Sequence, residues 1–282
     1  MRPAPLFALA ALALASVAGA EPGSTPQRLV PNAIAFRDTA DGIAGSGSTA
    51  CSYPDSRCSR PGTISLTSNS GRAWHVVLET PRPVVWVGFH EGSAWARLDD
   101  AENLRSRDGG RTWRAAVPQS GPAGPCPGAE VSSVVVTPGG REWALCAWEA
   151  GAGSQGKAVY RLTANGWRRV AWTPFGPPGH GYGGIALYGY PLGIAMADDG
   201  FGLIWESRGT LYVTHDGGLH WRGLPKIARP ELDFGRSAAT LPHGVGLVLL
   251  ARGTEEPAPR QKVRLLQTRD AGRTWHVVHR WS

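Results

Sequence analysis

Polar and apolar positions alternate along this chain in short runs broken by glycine and proline. One order of events recurs five times. A first apolar run covers residues 33–36, 84–89, 131–136, 185–188 and 238–241. A tight turn follows, as in Thr39-Ala-Asp-Gly42 and Thr137-Pro-Gly-Gly140, or Gly189-Tyr-Pro-Leu192 in the fourth copy. A second apolar run comes next (43–44, 94–98, 143–148, 193–197, 246–251), then a loop of variable length and an alternating third run (63–67, 103–106, 158–163, 210–214, 263–268). Alternation over short runs bounded by turn residues predicts β-strands. No capped stretch of helical period is present.

A phrase ending in tryptophan turns each third run into a fourth. Trp113, Trp167, Trp221 and Trp275 stand at a constant spacing of 54 residues. Three of them close Ser106-Arg-Asp-Gly-Gly-Arg-Thr-Trp113, Thr214-His-Asp-Gly-Gly-Leu-His-Trp221 and Thr268-Arg-Asp-Ala-Gly-Arg-Thr-Trp275. A weaker copy, Thr67-Ser-Asn-Ser-Gly-Arg-Ala-Trp74, comes first, and a worn one, Thr163-Ala-Asn-Gly-Trp167, lies in the middle. A fixed period near 50 implies stacked copies of one supersecondary unit. Four strands in each of five copies predict an all-β fold, a β-propeller of five four-stranded antiparallel blades. The second copy is short, its second loop reduced to residues 99–102. Residues 26–31 are candidates to complete the ring by pairing with the last copy.

The turn chemistry has a mechanism. Asp108, Asp216, Asp270 and Asn69 sit where a short side chain can accept backbone N–H groups just ahead. Glycine then supplies positive φ, and Asn165-Gly166 is by itself a hairpin signal. Each tryptophan is large enough to wedge against the neighbouring sheet.

Composition adds the compartment. Residues 1–20, a positive start, an apolar stretch and Ala18-Gly19-Ala20, read as a cleaved secretory signal peptide. Residues 21–282 read as a single propeller domain, with no membrane anchor after cleavage, so a periplasmic or secreted location is expected. Export permits disulfides. The four cysteines suggest Cys51 with Cys58, and Cys126 with Cys146, the latter tying a Pro/Gly-rich connection to the strand after it. Zinc is the rival reading, but C-x-x-C spacing and a nearby histidine pair are both missing. The formal charge of +7 comes from scattered arginine. It permits attraction to acidic surfaces or sugars and lacks the clustered stripe of a nucleic-acid binder. No metal or organic cofactor is implied.

The tryptophan phrases resemble the Asp-box, or bacterial neuraminidase repeat. The remainder of each copy, as in Phe36-Arg-Asp-Thr-Ala-Asp-Gly42 leading to Gly62-Thr-Ile-Ser-Leu-Thr67, resembles the photosystem II assembly/stability-factor-like propellers, and more distantly those of sialidases and sortilins. The resemblance implies that the boxes, with Asn69, Trp74, Asp108, Trp113, Asn165, Trp167, Asp216, Trp221, Asp270 and Trp275, are structural turns and not catalytic groups. It also implies a protein-binding or assembly role, with another exported protein or a glycan as partner.

Function is expected on the opposite face, where the long loops gather. Candidate ligand groups there are Arg97, Glu149, His180, Tyr182, Glu206, Arg208 and Arg252. His180, in Pro177-Pro-Gly-His-Gly-Tyr-Gly-Gly184, lacks the strand-then-helix setting of a phosphate loop. The enzymatic alternative is a sialidase-like glycoside hydrolase. It asks for an arginine cluster on a substrate carboxylate, a tyrosine nucleophile assisted by a glutamate, and an acid. Arg97, Arg208, Arg252, Tyr182, Glu149 and Glu206 could supply them, but no spacing identifies them. The Arg-Ile-Pro element expected before the first box is replaced by Gln27-Arg-Leu-Val-Pro31. A non-enzymatic carbohydrate-binding module is a third reading.

Overall fold

Twenty strands form five separate four-stranded antiparallel sheets, each made of strands consecutive in the chain. The computed structural model describes residues 30–47, 61–117, 124–126, 128–129, 131–173, 182–207, 209–225, 227, 233–253 and 261–281. The segment read as a signal peptide, Cys51, Cys58, His180 and Arg208 lie outside the described residues. The first blade comprises β1 (Pro31–Phe36), β2 (Gly42–Ser46), β3 (Gly62–Thr67) and β4 (His75–Thr80). The second comprises β5 (Val84–His90), β6 (Ser93–Leu98), β7 (Asn103–Ser106) and β8 (Arg114–Ala116). The third has β9 (Val131–Val136), β10 (Glu142–Gly151), β11 (Ser154–Thr163) and β12 (Gly166–Trp172). The fourth has β13 (Pro191–Met196), β14 (Gly202–Glu206), β15 (Leu211–Thr214) and β16 (Arg222–Gly223). The fifth has β17 (Asp233–Leu241), β18 (Val245–Arg252), β19 (Lys262–Thr268) and β20 (His276–Trp281). The expected five-bladed propeller is therefore the observed fold.

Each blade buries its apolar positions against a neighbour, because a single sheet leaves one apolar face wet. Ile34, Phe36 and Ala44 of the first blade pack with Leu247, Leu249 and Leu265 of the fifth. Ile43, Ile64 and Leu66 pack with Val87, Ala94, Ala96 and Leu104 of the second. Trp143, Leu145 and Val159 of the third meet Ile194, Met196 and Ile204 of the fourth. Leu203, Leu211 and Val213 of the fourth meet Val248, Leu250 and Leu266 of the fifth. Among the described residues, the seam between second and third blades has no such cluster.

The tryptophan turns make four of these seams. In the second blade the Ser106 hydroxyl donates to Asp108 Oδ1 (2.7 Å) and accepts from Gly110 N (2.8 Å). Asp108 Oδ1 also accepts from Thr112 N (2.9 Å), and Trp113 Nε1 donates to Gly110 O (2.7 Å). The same bonds recur around Asn69, Asp216 and Asp270. The indole N–H is thus tied back to its own turn. The second glycine must be bare and left-handed: Gly110 has φ +94°, and a Cβ there would meet Leu66 of the first blade at 2.7 Å. The tight first turns share this face, since Ser70 N donates to Ala40 O, Gly217 N to Gly200 O and Ala271 N to Gly244 O.

Three expectations are corrected. In the fourth copy the first strand is β13, residues 191–196, and the tight turn is Ala197-Asp-Asp-Gly200. Gly200 at φ +86° and Asp199 Oδ1 accepting from Phe201 N make this the stronger turn, and 185–190 is connection. Second, residues 149–156 are no loop: β10 and β11 run through them to a hairpin at Ala152-Gly153. Third, at the end of the segment expected to close the ring, Pro31 pairs with Ser46 inside the first blade, while residues 26–29 lie outside the described residues. Among the described residues the fifth and first blades are joined through side chains. Ile34 N donates to Ser237 Oγ (3.1 Å), Trp74 packs near Trp281 (6.2 Å between centroids), and His279 Nδ1 lies 2.9 Å from Arg72 O.

The Cys126–Cys146 disulfide is formed, Cα atoms 5.4 Å apart, fastening the connection before β9 to buried β10.

Candidate functional site

The inner strands β1, β5, β13 and β17 each shift register near their first residues, at Asn32, Val85, Leu192 and Arg236. A β-bulge re-aims side chains and bends the strand, so four blades break their ladders at corresponding places. Arg236 there donates to Gln261 Oε1 (3.1 Å).

Glu206 is not on an exposed ligand face. It ends β14 and lies fully buried with Lys157 of β11, Nζ to Oε1 2.6 Å, both side chains 0% exposed. Lys157 Nζ also donates to Tyr188 O (3.0 Å). Burial pushes the Glu206 carboxyl up and the Lys157 ammonium down, and each is drawn back by the other's charge and hydrogen bond. Burial and the same carboxylate push the Tyr212 hydroxyl well above the usual phenol range. Gly189 is bare because a Cβ would collide with Glu206 Oε2, an oxygen with no hydrogen-bond partner among the described residues. The pair bridges third and fourth blades and clamps the connection between them. Its chemistry is closed to solvent, so it serves as a joint.

The exposed aromatic chemistry lies on the rim. Arg169 on outer strand β12 stacks its guanidinium over Trp172 (4.4 Å). Trp172 stacks on Tyr182 (5.3 Å), and Tyr182 lies near His220 (5.7 Å), which caps Asp216 in the fourth blade's turn. Tyr182 and Trp172 also exchange backbone hydrogen bonds of 2.9 Å. Tyr182 is 45% exposed and belongs to this row on the third blade's outer edge. Arg97 is exposed on β6, Glu149 exposed on β10, and Arg252 exposed at the end of β18, each on a different blade. Sequence reasoning missed Lys157 and the Arg169–Trp172 stack. The one hint was that Lys157 is among only three lysines in a chain whose cations are otherwise arginine.

Among the described residues, no group of three His, Cys, Asp or Glu is placed to hold a metal ion, and no helix is long and apolar enough to cross a membrane.

No protein-family model and no curated protein sequence matches the chain. Among solved structures it is similar to YCF48 bound to a D1 peptide, at 17% identity over 90% of this chain and 82% of that one, TM-score 0.31. YCF48 from Cyanidioschyzon merolae matches at 14% identity over 81% and 95%, TM-score 0.43. A GH43_1 enzyme from Xanthomonas citri matches at 11% identity over 86% and 88%, TM-score 0.47. At these distances no activity or partner transfers from them.

Proposed function

We propose that this chain is an exported, non-catalytic Asp-box propeller that acts as a protein-binding or assembly scaffold. The observation that carries the reading is the sealing of the Lys157–Glu206 pair. This close pairing of acid and base is 0% exposed, beyond the reach of a substrate, while Arg97, Glu149 and Arg252 stand exposed on separate blades. What the surface offers is adhesive: the cation–aromatic row of Arg169, Trp172, Tyr182 and His220, of the kind enriched at protein interfaces. The Cys126–Cys146 bridge supports an oxidising compartment.

Crosslinking in the exported fraction of the source cell, followed by capture of the purified propeller, tests the scaffold. A reproducible partner lost on Trp172→Ala/Tyr182→Ala substitution is expected. Hydrolysis of a fluorogenic sialoside that disappears with Arg97→Ala or Arg252→Ala would overturn it.

The same stacked rings favour one alternative, binding of a glycan across an aromatic face. It predicts oligosaccharide-dependent quenching of Trp172 fluorescence.

A further inference from the structure

Five residues hold one structural position in the five blades: Ile43, Trp95, Trp143, Leu203 and Leu247. Each pairs with an inner-strand residue (Ala35, Gly88, Val135, Ala195, Ala239) and with a third-strand residue (Leu66, Arg105, Arg161, Val213, Gln267). The face around this position receives the next blade's turn. A Cβ on Gly110 would meet Ile43 at 3.3 Å, on Gly218 would meet Trp143 at 3.7 Å, and on Gly272 would meet Val213 at 3.3 Å; Gly71 abuts Leu265. The second blade's face is the exception. The third blade's hairpin has lost the Asp-x-Gly turn, its residues 163–166 are exposed, and a Cβ on Gly166 would meet nothing within 4 Å.

The receiving face has nevertheless kept its chemistry. In the third blade, Arg161 lies over Trp143 (5.7 Å), and Trp143 Nε1 donates to Gly217 O of the incoming turn (2.9 Å). In the second blade, Arg105 lies over Trp95 (5.0 Å) in the same register, but Trp95 Nε1 is buried with no hydrogen-bond partner among the described residues. An unmet buried donor is destabilising, and a partner that accepts from it gains what the fold has left unmade. Arg97 and Arg114 sit exposed on the same face, beside Trp86, itself 46% exposed. None of the three arginines is in an ion pair among the described residues.

We propose that this face of the second blade, at its seam with the third, docks an acidic, glycine-containing turn of another protein. The turn takes the place that Asp216-Gly217-Gly218 takes on the third blade. A backbone carbonyl accepts the Trp95 N–H, and the turn's carboxylate faces Arg97, Arg105 and Arg114. Reaching Trp95, 7% exposed, parts the seam, which carries no aliphatic cluster among the described residues to oppose it. The proposal rests on the scaffold reading and names the site through which it acts.

The probe is a cyclised peptide of residues 212–223 of this chain, titrated into the whole propeller with indole N–H signals followed by NMR. The Trp95 signal, assigned by its loss in Trp95→Phe, should shift on binding. Affinity should fall roughly tenfold or more in Trp95→Phe and in Arg105→Ala, and a peptide with both glycines replaced by valine should not bind. Grafting Thr214-His-Asp-Gly-Gly-Leu-His-Trp221 in place of residues 163–167 should fill the face from within, raise Tm and abolish peptide binding. No binding at ~1 mM peptide, a Kd unchanged by both substitutions, or a Trp95 shift with a sulfated glycan but not the peptide would each overturn the proposal. A crosslinked partner retained in full by the grafted protein removes this seam and leaves the scaffold reading standing. Peptide binding without any captured partner does the reverse.

Discussion

Asp108 and Asn69 occupy the same place in two turns and accept the same backbone N–H with and without charge. Backbone and hydroxyl bonds from Thr112, with the Ser106 hydroxyl, hold the Asp108 carboxyl well below the usual range. The Thr274 hydroxyl and N–H do so for Asp270. In Asp216 burial raises the pKa, but hydrogen bonds from His220 more than offset it. A depressed folded-state value means the stabilisation is complete above the unfolded value near 3.8 and is lost as pH falls through the folded value. Urea midpoints should therefore drop below about pH 4. An Asp108→Asn/Asp270→Asn variant should be less stable at neutral pH and show a flatter acid limb. Lys157 and Glu206 make the other residue-scale case. Removing one partner leaves a buried charge and should cost about 3–5 kcal/mol, as in Glu206→Ala. Lys157→Met/Glu206→Met should lie within about 1 kcal/mol of the wild type or above it. Chemical denaturation of the three proteins checks both.

At the scale of the element, the unit is a turn with its tryptophan, and its value depends on having a seat. Trp221 is buried, bonds Gly218 O and rests among Trp143, Val159 and Tyr212. Trp221→Ala should cost about 3–5 kcal/mol. Trp167 follows an unseated hairpin and is only half-buried, so Trp167→Ala should cost less than half as much in the same urea titration. These turns were legible in the sequence because Asp, Gly and Trp each have a local reason to stand where they do. The fourth copy's strands were misplaced because Gly189-Tyr-Pro-Leu192 also carries turn residues. The pairing of Met196 with Gly202, with the left-handed Gly200 between them, decides for the later turn. Lys157 was invisible for a related cause. In an alternating strand a lysine reads as a solvent position, and its carboxylate lies 49 residues away in another blade. Trp95 and Arg105 likewise gain meaning only beside Trp143 and Arg161, once register shows the positions to be equivalent.

Over the whole molecule, the strength of the ring is uneven. Aliphatic clusters and tryptophan turns bind the third, fourth, fifth, first and second blades in that order. Among the described residues the seam between second and third blades carries no such cluster, so amide exchange in β8 and β9 should be faster than in β18 and β19, where Leu247, Leu249, Leu250 and Leu265 are fully buried. Equal protection at both places would contradict that ranking.

Because every blade is completed by its own consecutive strands, no strand among the described residues is shared across the junction of fifth and first. Chain order and ring order are therefore separable. A circular permutant starting at the third blade, with Trp281 linked back to Pro31, asks nothing of the sheets that they do not already do. Its cut would fall where the ring is least cemented, so such a gene should yield the same propeller with its two ends beside the Trp95 face.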